Sequence, residues 1–454
     1  MKRRFLAGIT VLLTFLLTAV LLSGCQSPLP GGVDTLLRPP RLTNDQNGLY
    51  NALTSYLSGR EMHLVYPQKG DYLSAFIRYD LDGDGGDEAL VFYQLSASSA
   101  ASPVNMAFLD MRYGQWRVTS EFKLDGSGIE DVSFPAENGR PLAAIGLAYA
   151  GESGSSLLQV FSAEGGNLEL LFSRSYQAKY VGDLTGNEDS ELLLIYPQEN
   201  SEGVQSMNAG LFSFDGETYS LMAECAVNPD MTRYQQVTAA PGAPSGEANR
   251  SIVYLDGYRG NVMITEELLF RSEEGKITVR NMTWSEDGSV DYPERYGLSS
   301  MDIDRDGRIE IPGQTLFPGY DVEDEEVLYQ TTWYRHIGSG YIPINTGYVG
   351  SQLGYMFLFP ESWDGKVTAY RGSYNNEVTF SVYEKGVLPE DTAILSIRAV
   401  SAAGWGNGKA RSKFPEYEYL TARGQVVFLA RVIDSESEYA LGIDEIRERF
   451  IDLG

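Results

Sequence analysis

Three acidic stretches hold the residues whose types and spacing have the clearest chemical use. Asp80, Asp82, Asp84 and Glu88 occupy positions 1, 3, 5 and 9 of DLDGDGGDE. Asp302, Asp304, Asp306 and Glu310 repeat that spacing in DIDRDGRIE. Asp183, Thr185, Asn187 and Glu191 keep the frame in DLTGNEDSE, with two neutral oxygen donors in place of carboxylates. Alternation turns these side chains into one concave loop. Calcium takes about six to eight hard oxygen ligands from carboxylates, carbonyls and water. Carboxylates crowded in such a turn repel one another, and a divalent cation would neutralise them and pin the loop. We therefore expect Ca2+ at all three loops, in a structural role, with the second loop the weaker site. The alternative is a solvated acidic turn, because Asp and Gly favour turns with or without an ion.

An EF-hand begins with a similar spacing, but it needs a Glu at position 12 and a helix on each side. Position 12 here is Val91, Leu194 or Gly313, and the first two loops run into the apolar strands ALVFY and LLLIY. The surrounding elements are therefore strands. From residue 62 onward an apolar strand, a glycine turn and a second strand recur, with turns at Gly114, Gly166, Gly216, Gly275 and Gly340. Units of 50 to 65 residues in an all-β region predict the antiparallel blades of a β-propeller over 62–348. One large irregular β-sandwich is the alternative. Ahead of this region, Thr43-x-x-Gln46 predicts a capping box for a helix over 44–61, with Leu49, Leu53, Tyr56 and Leu57 on one face. Behind it, residues 349–454 read as a separate α+β domain: several strands, a hairpin turn at ARGQ and a closing helix over 442–453. The expected fold class is mainly β, a β-propeller of about five recognisable blades with a C-terminal α+β domain.

The frame D-x-D-x-D-G-x-x-E before a strand resembles the FG-GAP/VCBS repeats of integrin-α-type β-propellers. That resemblance covers roughly 62–348 and implies calcium held structurally at one edge of a blade. The first and third loops match the frame. The second departs from it at Thr185, Asn187 and Glu188, the last standing where the motif has glycine. The second and fourth units lack the motif, and Asp131 has no partners at the right spacing. Five units are also fewer than integrins carry, which leaves either a five-bladed ring or further degenerate blades. In the C-terminal region, a Tyr/Phe-rich strand, Pro360-Glu361-Ser362-Trp363 and a hairpin resemble the PsbP-like fold, which supplies no catalytic residues.

The N-terminus bears on location. Lys2, Arg3 and Arg4 precede the apolar run from Phe5 to Leu22, and Leu22-Ser23-Gly24-Cys25 follows. Residues 1–24 read as a secretory signal. Small residues before a cysteine at this distance resemble a bacterial lipobox, which implies a diacylated Cys25 as the mature first residue. Lipid chains there would anchor the protein by burying methylenes in the membrane. An uncleaved transmembrane anchor is the alternative, and both readings put the body outside the cytoplasm. Residues 25–43, rich in Pro and Gly, read as a tether. Cys225 is the only other cysteine, so once Cys25 carries lipid no intramolecular disulfide can form.

A formal charge of -27 excludes a nucleic-acid partner, whose phosphates need Lys and Arg. The two histidines, His63 and His336, stand without a nucleophile motif, and no Cys/His cluster suits zinc. Paired carboxylates can hydrolyse glycosides, but 62 acidic residues offer no obvious pair. The expectation is a membrane-anchored, extracytoplasmic and non-enzymatic binding or scaffold module for a protein or glycan. The alternative is a glycan-active enzyme with carboxylates in the propeller channel. A solute-binding lipoprotein is disfavoured, because the βα alternation of a two-lobed clamp is missing.

Overall fold

The computed structural model describes residues 42–453 apart from 97–102, 138, 149–154, 165, 200–202, 204, 242–249, 286–287, 290–291, 322, 324–326, 338–339, 373–375 and 407–411. Cys25, the expected signal and nearly all of the expected tether lie outside the described residues. Among the described residues, no helix is long and apolar enough to cross a membrane.

Helix α1 spans Asn44–Tyr56. The Thr43 hydroxyl accepts from the Gln46 N–H at 3.2 Å, and the Gln46 side chain accepts from the Thr43 N–H at 3.0 Å. This reciprocal pair satisfies donors that no helical carbonyl reaches. Leu49, Leu53 and Leu57 are buried, whereas Tyr56 is 47% exposed and its phenol reaches Glu121.

Five antiparallel sheets follow, each built mainly from strands adjacent in sequence. In the first, Met62–Leu64 and Phe76–Tyr79 lie end to end along Glu88–Leu95, and Asn105–Arg112 and Gln115–Lys123 follow. The second runs Gly128–Ser133, Ala143–Ala148, Ser156–Glu164, Asn167–Tyr176. The third runs Ala178–Gly182, Glu191–Glu199, Gln205–Phe214, Tyr219–Val227. The fourth runs Arg233–Pro241, Arg250–Arg259, Val262–Glu273, Lys276–Asn281. The fifth begins Ile311–Leu316, Tyr329–Ile337, Gly340–Gly350, Tyr355–Leu358. Gly114, Gly166, Gly216 and Gly275 join the last two strands of the first four sheets, as expected, with φ from 74° to 103°. That left-handed backbone is open to glycine at no steric cost.

The C-terminal part departs from the expected boundary. The division at 349 falls inside Gly340–Gly350, and Phe450–Asp452 returns to pair with Tyr355–Leu358 in the fifth sheet. The closing helix is accordingly shorter than expected, Ile443–Arg449. Phe450 is drawn back by aromatic packing, its ring 5.1 Å from those of Tyr355 and Phe428. A sixth sheet holds Val367–Arg371, Glu377–Val382, Ala393–Ser401, Val426–Val432 and Glu418–Arg423, the last two joined at the expected ARGQ turn.

Packing explains why several strands read as apolar runs rather than alternations. Leu192 and Leu194 meet the second sheet through Ala144, Leu158 and Val160, while Leu193 and Ile195 meet the fourth through Val253, Leu255 and Phe270. A strand covered on both faces needs apolar residues at every position. The first sheet likewise gives Leu90, Phe92 and Phe108 to the second. Its other face, with Val91, Tyr93, Ala107 and Leu109, lies under Leu49 and Leu53 of α1. Phe357, Phe359, Trp363, Phe380 and Phe428 fuse the fifth and sixth sheets. No hydrophobic cluster among the described residues joins the first sheet to the fifth. The mainly β class is as expected, and its sheets form a series that runs from α1 to the sixth sheet.

Between the fourth and fifth sheets the apolar contact is small, Ala240 and Tyr254 against Ile309 and Ile311. Buried polar groups fill the rest. Arg295 Nη2 lies 2.6 Å from Asp256 Oδ1, both fully enclosed, and His336 Nδ1 lies 2.6 Å from Glu267 Oε2. Buried groups of this kind persist only when partnered.

Candidate functional site

The first two acidic loops connect a short strand to the strand that their last Glu begins, and the third lies between the two residues of the Met301–Glu310 bridge, just before the strand Ile311–Leu316. Their shared architecture includes a feature that the spacing of acids alone does not show. The residue after the first Asp is apolar in every loop: Leu81, Leu184 and Ile303, all buried. Its N–H donates to the terminal Glu, from Leu81 to Glu88 at 2.8 Å, Leu184 to Glu191 at 2.8 Å and Ile303 to Glu310 at 3.2 Å. The three glutamates are buried, and burial holds each carboxyl above the usual range, while those N–H donors pull the other way. The signal was visible in the sequence as D-(L/I)-x at the head of each frame.

The first Asp ties the loop by its own carboxylate. Asp80 accepts from the N–H groups of Gly83 and Gly85, Asp183 from those of Gly186 and Glu188, and Asp302 from those of Asp306 and Gly307. The backbone repeats as well. Positions 4 and 6 are left-handed in all three loops: Gly83 and Gly85, Gly186 and Glu188, Arg305 and Gly307.

The loops differ in what meets their carboxylates. In the first, oxygen atoms of Asp80, Asp82 and Glu88 lie within 4.8 Å of one another, a cluster that can hold a metal ion. Asp84 is not part of it and instead accepts from the Gly86 N–H at 2.7 Å. In the second, Asp183 and Glu191 are the acids at the four ligand positions, and the Thr185 hydroxyl donates to Glu191 Oε1 at 2.8 Å. Asn187 there accepts from the Asp189 N–H. In the third, Asp302, Asp304 and Asp306 form a cluster of the same size, but Glu310 is apart from it. Arg335 occupies that loop. Its guanidinium bonds Glu310, lies 3.1 Å from Asp306 Oδ2 and stands 3.9 Å from Asp304 Oδ2. The three carboxylates gathered in the first loop fit a hard divalent cation, since no ion pair among the described residues engages them and Arg78 meets Asp87 instead. The third loop fits one less well, because an incoming ion must displace or tolerate Arg335.

Outside the loops, a cleft of about 530 Å3 opens where the first strands of the second, third and fourth sheets approach one another. Glu130 and Asp131 line it, and no local motif singles out Glu130. Glu130 accepts from the Ser156 hydroxyl and from the Tyr176 phenol, and Lys69 Nζ lies 3.1 Å away. Asp131 holds Lys179 Nζ at 2.7 Å, both largely buried. Burial raises the Tyr176 phenol well above its ordinary value. Gly146 makes this arrangement possible: a Cβ there would lie 2.6 Å from Asp131 Oδ1 and 2.9 Å from the Tyr176 oxygen.

No protein-family model and no curated protein matches the chain. Among solved structures, a hypothetical selenium-binding protein from Sulfolobus tokodaii aligns at 10% identity and TM-score 0.28, over 48% of this chain and 55% of that one. A protein of unknown function from Dyadobacter fermentans aligns at 9% identity and TM-score 0.25, over 82% of this chain and 98% of that one.

Proposed function

We propose that this chain is an extracytoplasmic lipoprotein, anchored in the membrane through acylated Cys25, whose propeller-type β units are stapled by Ca2+ and serve as a non-enzymatic binding or scaffold module. The partner is a protein or a glycan. The meander sheets are read as blades, with α1 standing beside the first where a ring would need a further blade. The observation that carries the calcium reading is the first loop, which gathers Asp80, Asp82 and Glu88 with no ion-pair partner for any of the three among the described residues. Binding rather than hydrolysis is supported by the cleft, whose two carboxylates are each already engaged by a lysine.

Thermal unfolding of the full chain with millimolar calcium, then with chelator, tests the staple. A ligand that prefers the native state stabilises it by mass action. The midpoint is expected to rise with calcium, and equal midpoints would remove the metal. Incorporation of labelled fatty acid, lost in Cys25→Ser, tests the anchor.

A further inference from the structure

The chain carries a formal charge of -27, yet among the described residues the charged side chains that line the cleft between the second, third and fourth sheets are Lys69, Lys179, Arg233, Glu130 and Asp131. Cations outnumber acids among these, against the balance of the whole molecule. The two lysines are matched to the two carboxylates at 3.1 Å and 2.7 Å. Arg233 is the surplus. Its guanidinium carbon lies 4.1 Å from the centre of the Tyr258 ring, and no carboxylate among the described residues lies within ion-pair reach of it. It is exposed at the start of Arg233–Pro241. The Tyr258 ring packs against the exposed guanidinium, whose N–H edge has the geometry to meet a carboxylate in two parallel bonds.

The rest of the lining suits hydroxyl groups. A hydroxyl both donates and accepts, and each Lys–carboxylate pair offers one donor and one acceptor side by side. Gln177 adds an amide with the same dual character. At about 530 Å3 the cleft lies within the ordinary range for small-molecule sites, and its lining is polar rather than apolar. We infer that this cleft binds a short acidic oligosaccharide, with the sugar carboxylate on Arg233 and sugar hydroxyls on the Lys69–Glu130 and Lys179–Asp131 pairs. The inference rests on the binding-module reading above and assigns its ligand class and site.

The test is titration calorimetry on the full chain with hyaluronan tetrasaccharide and sialyllactose, against lactose and chitotetraose as neutral counterparts. The expected result is binding of an acidic sugar about tenfold or more tighter than of its neutral counterpart, weakening as salt is added. Arg233→Gln should weaken acidic-sugar binding about ten- to a hundredfold, the loss typical of a charged hydrogen-bonding partner. Arg233→Lys should restore part of it. Because Arg233 is exposed, both variants should keep the parent's thermal midpoint and calcium response. Equal binding of neutral and acidic sugars, or unchanged affinity in Arg233→Gln, overturns the inference. So does an absence of acidic-sugar binding. A calcium shift that persists without any sugar binding sinks the inference alone; loss of the calcium shift sinks the staple reading, whatever the sugars do.

Discussion

In the third acidic loop a guanidinium lies against the carboxylates of the frame; in the first, among the described residues, Arg78 reaches Asp87 but not Asp80, Asp82 or Glu88. A full positive charge about 4 Å from a carboxylate is worth on the order of 4 kcal/mol at the effective dielectric near a protein surface, before desolvation is counted. Arg335 therefore does for Glu310 and Asp306 part of what an ion would do. Asp82→Ala should abolish most of the calcium-dependent rise in thermal midpoint, and Asp304→Ala should leave most of it. Arg335→Gln should lower the midpoint in chelator, by leaving Glu310 buried and unpaired, and calcium should then recover it. Calorimetric stoichiometry in that variant should rise by one ion. Loss of the calcium response in Asp304→Ala but not in Asp82→Ala would reverse the assignment. The acidic frame was legible residue by residue, but Arg335 was not. It is brought to the loop by the pairing of Tyr334 with Ile311, a register that no local pattern encodes.

Glu266 makes a second prediction at this scale. Burial pushes its carboxyl up to about 7, even though Asn228, Asn281 and Tyr292 donate to it. A carboxyl raised in the folded state binds its proton more tightly there than in the unfolded chain. Its contribution to stability is therefore fully present below the ordinary Glu range and is lost as pH rises through about 7. In chelator, moving from pH 8 to pH 5 should stabilise the protein, partly because the acidic surface also loses charge. Glu266→Gln isolates the local part. Its denaturation midpoint should change less between those pH values than the parent's, and an identical slope would remove Glu266 from the account.

At the scale of elements, the loops show how one backbone persists where the sequence departs. Glu188 stands where the frame has glycine, yet it keeps φ at 70°, beside 88° for Gly85 and 84° for Gly307. A side chain in that region costs about 1–2 kcal/mol. Space does not decide the matter at Gly85, since a Cβ there would meet nothing within 4 Å. Gly85→Ala should therefore destabilise by about 1–2 kcal/mol through backbone conformation alone. Glu188→Gly should be neutral or stabilising despite the freedom it adds to the unfolded chain. Denaturant midpoints measured in chelator check both, and a stabilising Gly85→Ala would contradict the shared geometry. Hairpins were the most legible elements, because turn glycines and alternating strands leave local marks. The bridge at Met301 and the strand Phe450–Asp452 were not, since each exists only through a partner distant in sequence. Glu266 and Glu267 were equally hidden. Adjacent strand residues point to opposite faces, and both faces of the fourth sheet are covered.

At the scale of the whole molecule, the question is how a series of two-faced sheets ends. Each inner sheet buries one face on its predecessor and one on its successor, so the first sheet is left with an apolar face and no sheet before it. Val91, Tyr93, Ala107 and Leu109 on that face are fully buried, and α1 is what buries them. The sequence announced an amphipathic helix with a capping box, but nothing local in it specified which surface the helix would cover. If α1 is the terminal cap, removing it must expose an apolar patch of the size that drives association. A chain beginning at Met62 should therefore self-associate in sedimentation velocity, while one beginning at Leu42, which keeps the helix without the expected anchor, sediments as a smaller species under the same conditions. Leu53→Asp in that longer chain should shift behaviour in the same direction, since it places a charge under the helix against Val91 and Leu109. Should the shortened chain keep both its sedimentation coefficient and its thermal midpoint, the first sheet must have another cover, and the series would then close on itself as a ring. Charge sharpens the contrast: at a formal -27 the chains repel one another at low salt, so association of the shortened chain should grow as salt screens that repulsion.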